Sequence, residues 1–281
     1  MKWDSVMPLR ESILLRNNVR VAGAEGKPTM VFAHGFGCDQ NMWRFVAPAF
    51  ADTHRTVLFD YVGCGRSDLG AFDAARYSSL EGYAQDLLDV CEALDLQRVI
   101  LVGHSVSAMI GLLAAIRQPS RFASLVMVAP SPRYINDPPY VGGFDRDDID
   151  NLLSLMDHNY IGWASYLAPV VIGNPDRPDL GAELEQSFCS TDPQAAQSFA
   201  RATFFADNRA DLARAPVPSL ILQVRDDALA PMAVGRYLSE HMPGSELAVL
   251  EATGHCPHMS HPQLTIDAMK QYLERGRSAP G

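Results

Sequence analysis

The chain has 281 residues, 47% of them hydrophobic and 20% charged, with a formal net charge of −10 at pH 7. That composition is ordinary for a globular protein and excludes a disordered or fibrous class, while the acidic balance, with no Lys/Arg cluster to interrupt it, argues against nucleic acid as a partner. Met1 to Arg10 carries charge without an apolar leader, and no apolar run approaches bilayer length, so the expectation is a cytoplasmic protein with no membrane partner.

In chain order, residues 13–21 alternate loosely and predict a strand of an N-terminal hairpin, followed by a turn at 23–27. Residues 29–33 form a short apolar run that stops at His34-Gly35-Phe36-Gly37, as a buried strand feeding a glycine-rich loop would. Residues 56–59 repeat the pattern ahead of Asp60 and the glycine-rich loop 63–67, which lacks the Lys-Ser/Thr ending of a phosphate loop and reads as a structural turn. Residues 79–94 space apolar side chains helically, with Asp86, Asp89 and Glu92 on other faces. A strand at 98–102, a mostly apolar helix at 105–117 and a strand at 123–128 follow. Strands that are apolar throughout and alternate with helices predict an α/β class with a mostly parallel sheet covered on both faces.

From 131 to 214 the pattern changes to helical periods rich in Met, Trp, Tyr and Phe, with no strand. A strand at 217–223, a helix at 234–241, a strand at 245–250 and a helix at 264–273 then resume the earlier rhythm, and the tail 276–281 reads as disordered. The expected organisation is one core, residues 1–130 and 215–275, with an inserted helical cap at 131–214. Five cysteines, Cys38, Cys64, Cys91, Cys189 and Cys256, show no paired spacing, so neither a disulfide framework nor a thiolate zinc site is indicated.

The chemistry concentrates at Gly103-His104-Ser105-Val106-Ser107, where a serine sits at a sharp turn between a predicted strand and a predicted helix. This is the setting of a nucleophile elbow in the α/β-hydrolase fold, with Ser107 in place of the usual second glycine. A serine hydroxyl needs a base that titrates near neutral pH. Among three histidines in one C-terminal loop, His255 follows a strand directly, while His258 and His261 are in poorer positions. A metal reading of the three lacks a completing carboxylate or thiolate set at a familiar spacing. Asp226 and Asp227 both follow the strand at 217–223. Asp227 is preferred to orient the base, since it lies four residues before Pro231, with Asp226 as a turn residue. The chain order Ser, Asp, His is that of the α/β-hydrolase fold. The amides of Phe36 and Val106 are the expected oxyanion donors.

Together with Gly142-Gly143-Phe144, Asn159-Tyr160-Ile161-Gly162-Trp163, Ser187-Phe188-Cys189-Ser190-Thr191-Asp192-Pro193, Ala202-Thr203-Phe204-Phe205 and Gly254-His255-Cys256-Pro257-His258, these residues resemble the RsbQ-type bacterial stress-response hydrolases. The resemblance extends more distantly to the plant strigolactone and karrikin receptors and covers nearly the whole chain. It implies a V-shaped cap of four helices over an enclosed apolar pocket, no cofactor or metal, and slow hydrolysis of a small lipophilic ester, lactone or enol ether. It further implies a positive regulator in stress signalling that acts with a PAS-domain sensor phosphatase. Phe36, Tyr134, Phe144, Trp163, Phe188 and Phe204, on the oxyanion loop or in the cap, are expected to line the pocket, with His104 beside the nucleophile. A ligand sensor whose output is binding a partner protein, with hydrolysis incidental, is the alternative. Dehalogenase and epoxide hydrolase chemistry on this fold would require an aspartate where Ser105 stands.

Overall fold

The computed structural model describes residues 9–278. At its centre lies a seven-stranded sheet of β1 (Arg20–Ala22), β2 (Thr29–Ala33), β3 (Arg55–Leu58), β4 (Val99–His104), β5 (Phe122–Val128), β6 (Ser219–Asp226) and β7 (Ser245–Thr253). The spatial order is β1-β3-β2-β4-β5-β6-β7, and every neighbouring pair is parallel except β1 with β3. All six residues of β4 are buried, as expected of a central strand covered on both faces.

The period of two along each strand divides the core into two layers. Met30 and Phe32 of β2, with Ile100 and Val102 of β4, point to one layer; Val31, Ala33, Val99 and Leu101 point to the other. The second layer receives the apolar stripes of α2 (Leu80–Ala93), α3 (Val106–Arg117) and α8 (Met232–His241). The first is covered by the C-terminal α10 (Pro262–Ser278), which follows the short α9 (Pro257–Ser260). Between β5 and β6 the chain makes four consecutive helices, α4 (Arg146–His158), α5 (Tyr160–Ile172), α6 (Pro178–Ser190) and α7 (Pro193–Phe204), with α5 packed on α6 and α4 on both α5 and α7. The residues before α4 hold isolated bridges only, Ile135 with Phe144 and Asp137 with Tyr140.

Chain reversal in this order occurs between β2 and β4, since β2 leads to β3 on one side and β4 to β5 on the other. The loops leaving two such strands diverge and open a crevice at their carboxyl ends. His34 to Gly37 and Ser105 leave the sheet at that point.

Three expectations are corrected. Residues 13–16 belong to a helix, α1 (Leu9–Arg16), so of the predicted 13–21 strand only 20–21 lie in one, at the start of β1. Ile13 and Leu14 pack against the layer that holds α2, and Arg16 reaches Asp86 and Asp89 of α2. Asp86, assigned to an outer face of its helix, is fully buried: Arg76 lies 2.7 Å and the Tyr77 hydroxyl 2.9 Å from it, and burial raises its pKa against the pull of both arginines. The last helix continues through Ser278, into the tail predicted as disordered; 279–281 lie outside the described residues, as do Met1 to Pro8. All five cysteines are free thiols, and among the described residues no helix is long and apolar enough to cross a membrane.

Candidate active site

Ser105 links β4 to α3 with φ 56° and ψ −122°, a backbone conformation L-residues rarely adopt. Its amide donates to the Val128 carbonyl at 2.8 Å, which holds the turn against β5. The strained turn lifts the side chain off the sheet, where Oγ lies 2.7 Å from His255 Nε2. His255 Nδ1 lies 2.7 Å from Asp227 Oδ2, and the second carboxylate oxygen accepts the Leu229 and Ala230 amides at 2.8 and 3.2 Å. An acceptor-only carboxylate fixes the tautomer: Nδ1 carries the proton, Nε2 presents its lone pair, and the serine hydroxyl donates to it. Asp226, at the end of β6, is exposed, and it is Asp227 that meets the imidazole. The Tyr134 hydroxyl lies 3.0 Å from Ser105 Oγ, and burial keeps that phenol protonated by pushing its pKa up.

The loop carrying His255 is fastened on two sides. The Gly254 amide donates to the Asp226 carbonyl and the His255 amide to the Val171 carbonyl of α5, both at 2.8 Å; Asn174 donates to the Thr253 carbonyl at 3.0 Å. From the other side, His104 Nε2 donates to the His255 carbonyl at 2.9 Å. His258 is buried with its ring 4.4 Å from that of His104 and 4.6 Å from Trp43, whereas His261 pairs with Ser260.

Val106 opens α3, so its amide has no partner within the helix. Neither it nor the Phe36 amide donates to any acceptor among the described residues. Gly37 adopts φ +72°, and a β-carbon there would fall 1.8 Å from the Phe188 ring, so only glycine lets α6 pack this close. Ser187 Oγ donates to the Gly37 carbonyl at 2.8 Å, and Arg44 pairs with Glu183 at 2.6 Å. The first ties α6 to the loop that bears Phe36, and the second to the same β2–β3 connection a few residues further on.

Above Ser105 lies a cavity of about 30 Å³, walled by Phe36, His104, Tyr134, Phe188, Phe204 and His255 among the expected residues. Two expected residues are absent from its walls. Trp163 is fully buried behind them, 4.9 Å from the Phe188 ring and 5.9 Å from that of Phe36, and Phe144 is held in its bridge with Ile135 by backbone bonds to Tyr134 and Asn136. The remaining walls, Cys38, Leu167, Val171, Leu184, Thr203, Leu229 and Cys256, went unrecognised in the sequence, because aliphatic residues at helical spacing serve helix packing equally well. The volume is far below the roughly 300–1,000 Å³ of a ligand pocket. Occupancy by anything larger than water requires the phenylalanine rings to move.

A model of the Alpha/beta hydrolase family matches residues 30–268. The chain belongs to this family. The alpha/beta hydrolase is 38% identical over 258 residues to Karrikin insensitive 2 receptor CA of Petunia hybrida, covering 92% of this chain and 95% of the receptor. It is also 38% identical over 247 residues to Strigolactone esterase RMS3 of Pisum sativum, covering 87% and 92%. Among solved structures, a hydrolase from Oleispira antarctica superposes with a TM-score of 0.92 at 46% identity, covering 96% of this chain and 99% of that one.

One buried histidine of the hydrolase gives its stability a sign with pH. His34 accepts the Tyr61 amide on Nε2 at 3.2 Å, so Nδ1 carries the proton and donates to the Gly35 carbonyl at 2.8 Å. Burial lowers the pKa below 6.5 although Asp60 and Asp39 lie near. The unfolded chain then binds a proton that the folded one refuses, so the contribution is whole above pH 6.5 and is lost as pH falls below it. For one such group the slope approaches about 1.4 kcal/mol per pH unit. Urea unfolding from pH 6.5 down to 5 should show declining stability, with a shallower decline in His34→Gln. Equal slopes in the two proteins would exclude His34 as the source.

Proposed function

We propose that the protein is a serine hydrolase that cleaves a small lipophilic ester, lactone or enol ether by acyl transfer through Ser105. The observation that carries this reading is the buried chain of contacts from Ser105 Oγ through His255 to Asp227, opening on an apolar cavity. In the reaction, His255 Nε2 takes the Ser105 proton as Oγ bonds to the substrate carbonyl carbon. The resulting oxyanion accepts hydrogen bonds from the Phe36 and Val106 amides. Collapse of the intermediate breaks the bond to the leaving oxygen, which receives the proton from His255. Water, activated by the same imidazole, then releases the acyl group. Asp227 holds the tautomer and stabilises the imidazolium, and Tyr134 restrains the nucleophile through its hydroxyl.

In this reading residues 1–130 and 215–275 are the catalytic core and 131–214 the cap, whose α5, α6 and α7 supply Leu167, Val171, Leu184, Phe188, Thr203 and Phe204 to the cavity. A cytoplasmic setting agrees with five unpaired thiols. The test is a covalent trap. Incubation with a fluorophosphonate or a slow lactone followed by peptide mass spectrometry should place one adduct on the peptide containing Ser105. An adduct elsewhere, or none with a full panel of activated esters, would overturn the assignment.

A second reading is favoured by the closed cavity and by relatives that are named receptors. Here a ligand is sensed by parting the cap, and the output is binding a partner protein. An RsbQ-type regulator working with a PAS-domain sensor phosphatase rests on the sequence resemblance. Capture of the same partner by wild type and by Ser105→Ala would favour sensing, and absence of any partner under stress would favour metabolism.

A further inference from the structure

Beside the His255 imidazole stands a second cluster whose side chains take no part in the proton transfers of the proposed hydrolysis. His104, Cys256 and His258 are 2%, 0% and 0% exposed, and one donor atom from each lies within 4.8 Å of the other two. Both ring nitrogens of His258, and Nδ1 of His104, lack a hydrogen-bond partner among the described residues. Three unpartnered polar nitrogens in a sealed core are rare, because each forfeits its hydration without recompense. Cys256 Sγ lies 4.0 Å from His104 Nε2, and His104 and Cys256 also wall the cavity, which gives the cluster a path to it.

We propose that His104, Cys256 and His258 form a binding site for a monovalent soft cation, copper(I) in the cell, whose occupation switches hydrolysis off. The donors decide the class: imidazole and thiolate suit copper, and thiolate selects its monovalent state over hard cations. Charge decides between copper(I) and zinc. The cluster holds no carboxylate, and the nearby Asp227 already serves His255. One thiolate neutralises a monovalent ion, whereas a divalent ion would leave a net charge in a core sealed from bulk solvent.

Binding is balanced as follows. The Cys256 thiol loses its proton to solvent and the sulfur lone pair bonds to the ion. His258 donates a nitrogen lone pair that no existing hydrogen bond engages. His104 moves its ring proton from Nε2 to the unpartnered Nδ1 and offers Nε2, which lies 4.0 Å from the sulfur. Metal–ligand bonds of 2.0–2.3 Å place donors about 3.5 Å apart, so the three side chains must close in by roughly an ångström. The tautomer change surrenders the bond from His104 to the His255 carbonyl, and with it one fastening of the loop that carries the base. This loss is the source of inhibition, which rests on the proposed hydrolase reading; binding itself does not.

The experiment uses the full chain with Cys189→Ser, which removes the exposed thiol. Silver(I) in chloride-free buffer, and copper(I) supplied anaerobically as its acetonitrile complex, are titrated in. Metal per chain is counted after gel filtration, with sulfur-to-copper charge-transfer absorption as a second signal. The expected result is one ion per chain, retention at least tenfold weaker in both Cys256→Ser and His258→Gln, and p-nitrophenyl acetate turnover that falls in step with loading and returns on chelation. Should Cys256→Ser fail to fold, His258→Gln carries the comparison alone. Metal uptake unchanged by either substitution overturns the site, and full loading with undiminished turnover overturns the switch. Failure of the hydrolase reading is distinct, since it shows as a metal-free protein without turnover while the metal count still reports on the site.

Discussion

Ser105→Ala is expected to lower kcat/KM for p-nitrophenyl acetate by about 10⁴- to 10⁶-fold while leaving the far-UV circular dichroism spectrum intact. The size of the loss follows from what remains. His255 keeps its bond to Asp227, and the Phe36 and Val106 amides keep their places, yet no oxygen stands 2.7 Å from Nε2 to be deprotonated. Electrostatic stabilisation without a nucleophile acts only on attack by water. The alanine β-carbon occupies the same strained backbone, so Tm should stay within a few degrees of wild type. Turnover retained within tenfold would remove Ser105 from the chemistry.

Gly254→Ala should produce the largest loss of stability among single methyl additions near the site. Gly254 has φ +84°, and a β-carbon there would sit 1.8 Å from the Ile172 carbonyl oxygen and 2.7 Å from its carbon. These are backbone atoms at the end of α5, so no side chain can turn aside. Strain of this kind costs about 3 kcal/mol, which lowers Tm by about 6 to 12 °C in a chain of this size. Relief requires the loop to shift, and His255 is the next residue, so kcat should fall by about 100-fold as well. Gly276→Ala is the control, since nothing lies within 4 Å of its added carbon and alanine suits a position inside α10, so Tm should hold or rise slightly. Matching thermal scans for the two variants would refute the steric account.

Much of this architecture is legible in the residues because it depends on local rules. Apolar runs ending in glycine loops correspond to β2 and β4, and the serine between Gly103 and Ser107 sits in the strand-to-helix turn its neighbours foretell. The contact between Asp227 and His255 follows from each lying just beyond a parallel strand. What was illegible depends on partners far away in sequence. Residues 13–16 are helical and Asp86 is buried, and both facts come from Arg16 reaching across to α2, a pairing that periodicity does not encode. Aromatic content in the insert was plain, but its direction was not. Trp163 fills the space behind the cavity and Phe144 is held by bonds to neighbouring backbone, while Leu167 and Val171 turn inward.

The fastening of α6 to the β2–β3 connection, through Ser187 on the Gly37 carbonyl beside Phe36 and through Arg44 on Glu183, has a consequence for when chemistry is possible. A guest that lifts α6 must also tug the segment that carries Phe36, whose amide the proposed reaction assigns to the oxyanion. Admission and reaction therefore exclude one another in time, in the manner of an interlock on a furnace door. In the proposed reaction a substrate is committed only after the chamber has reclosed around it, when bulk water is shut out and the acylated serine is sheltered from stray nucleophiles.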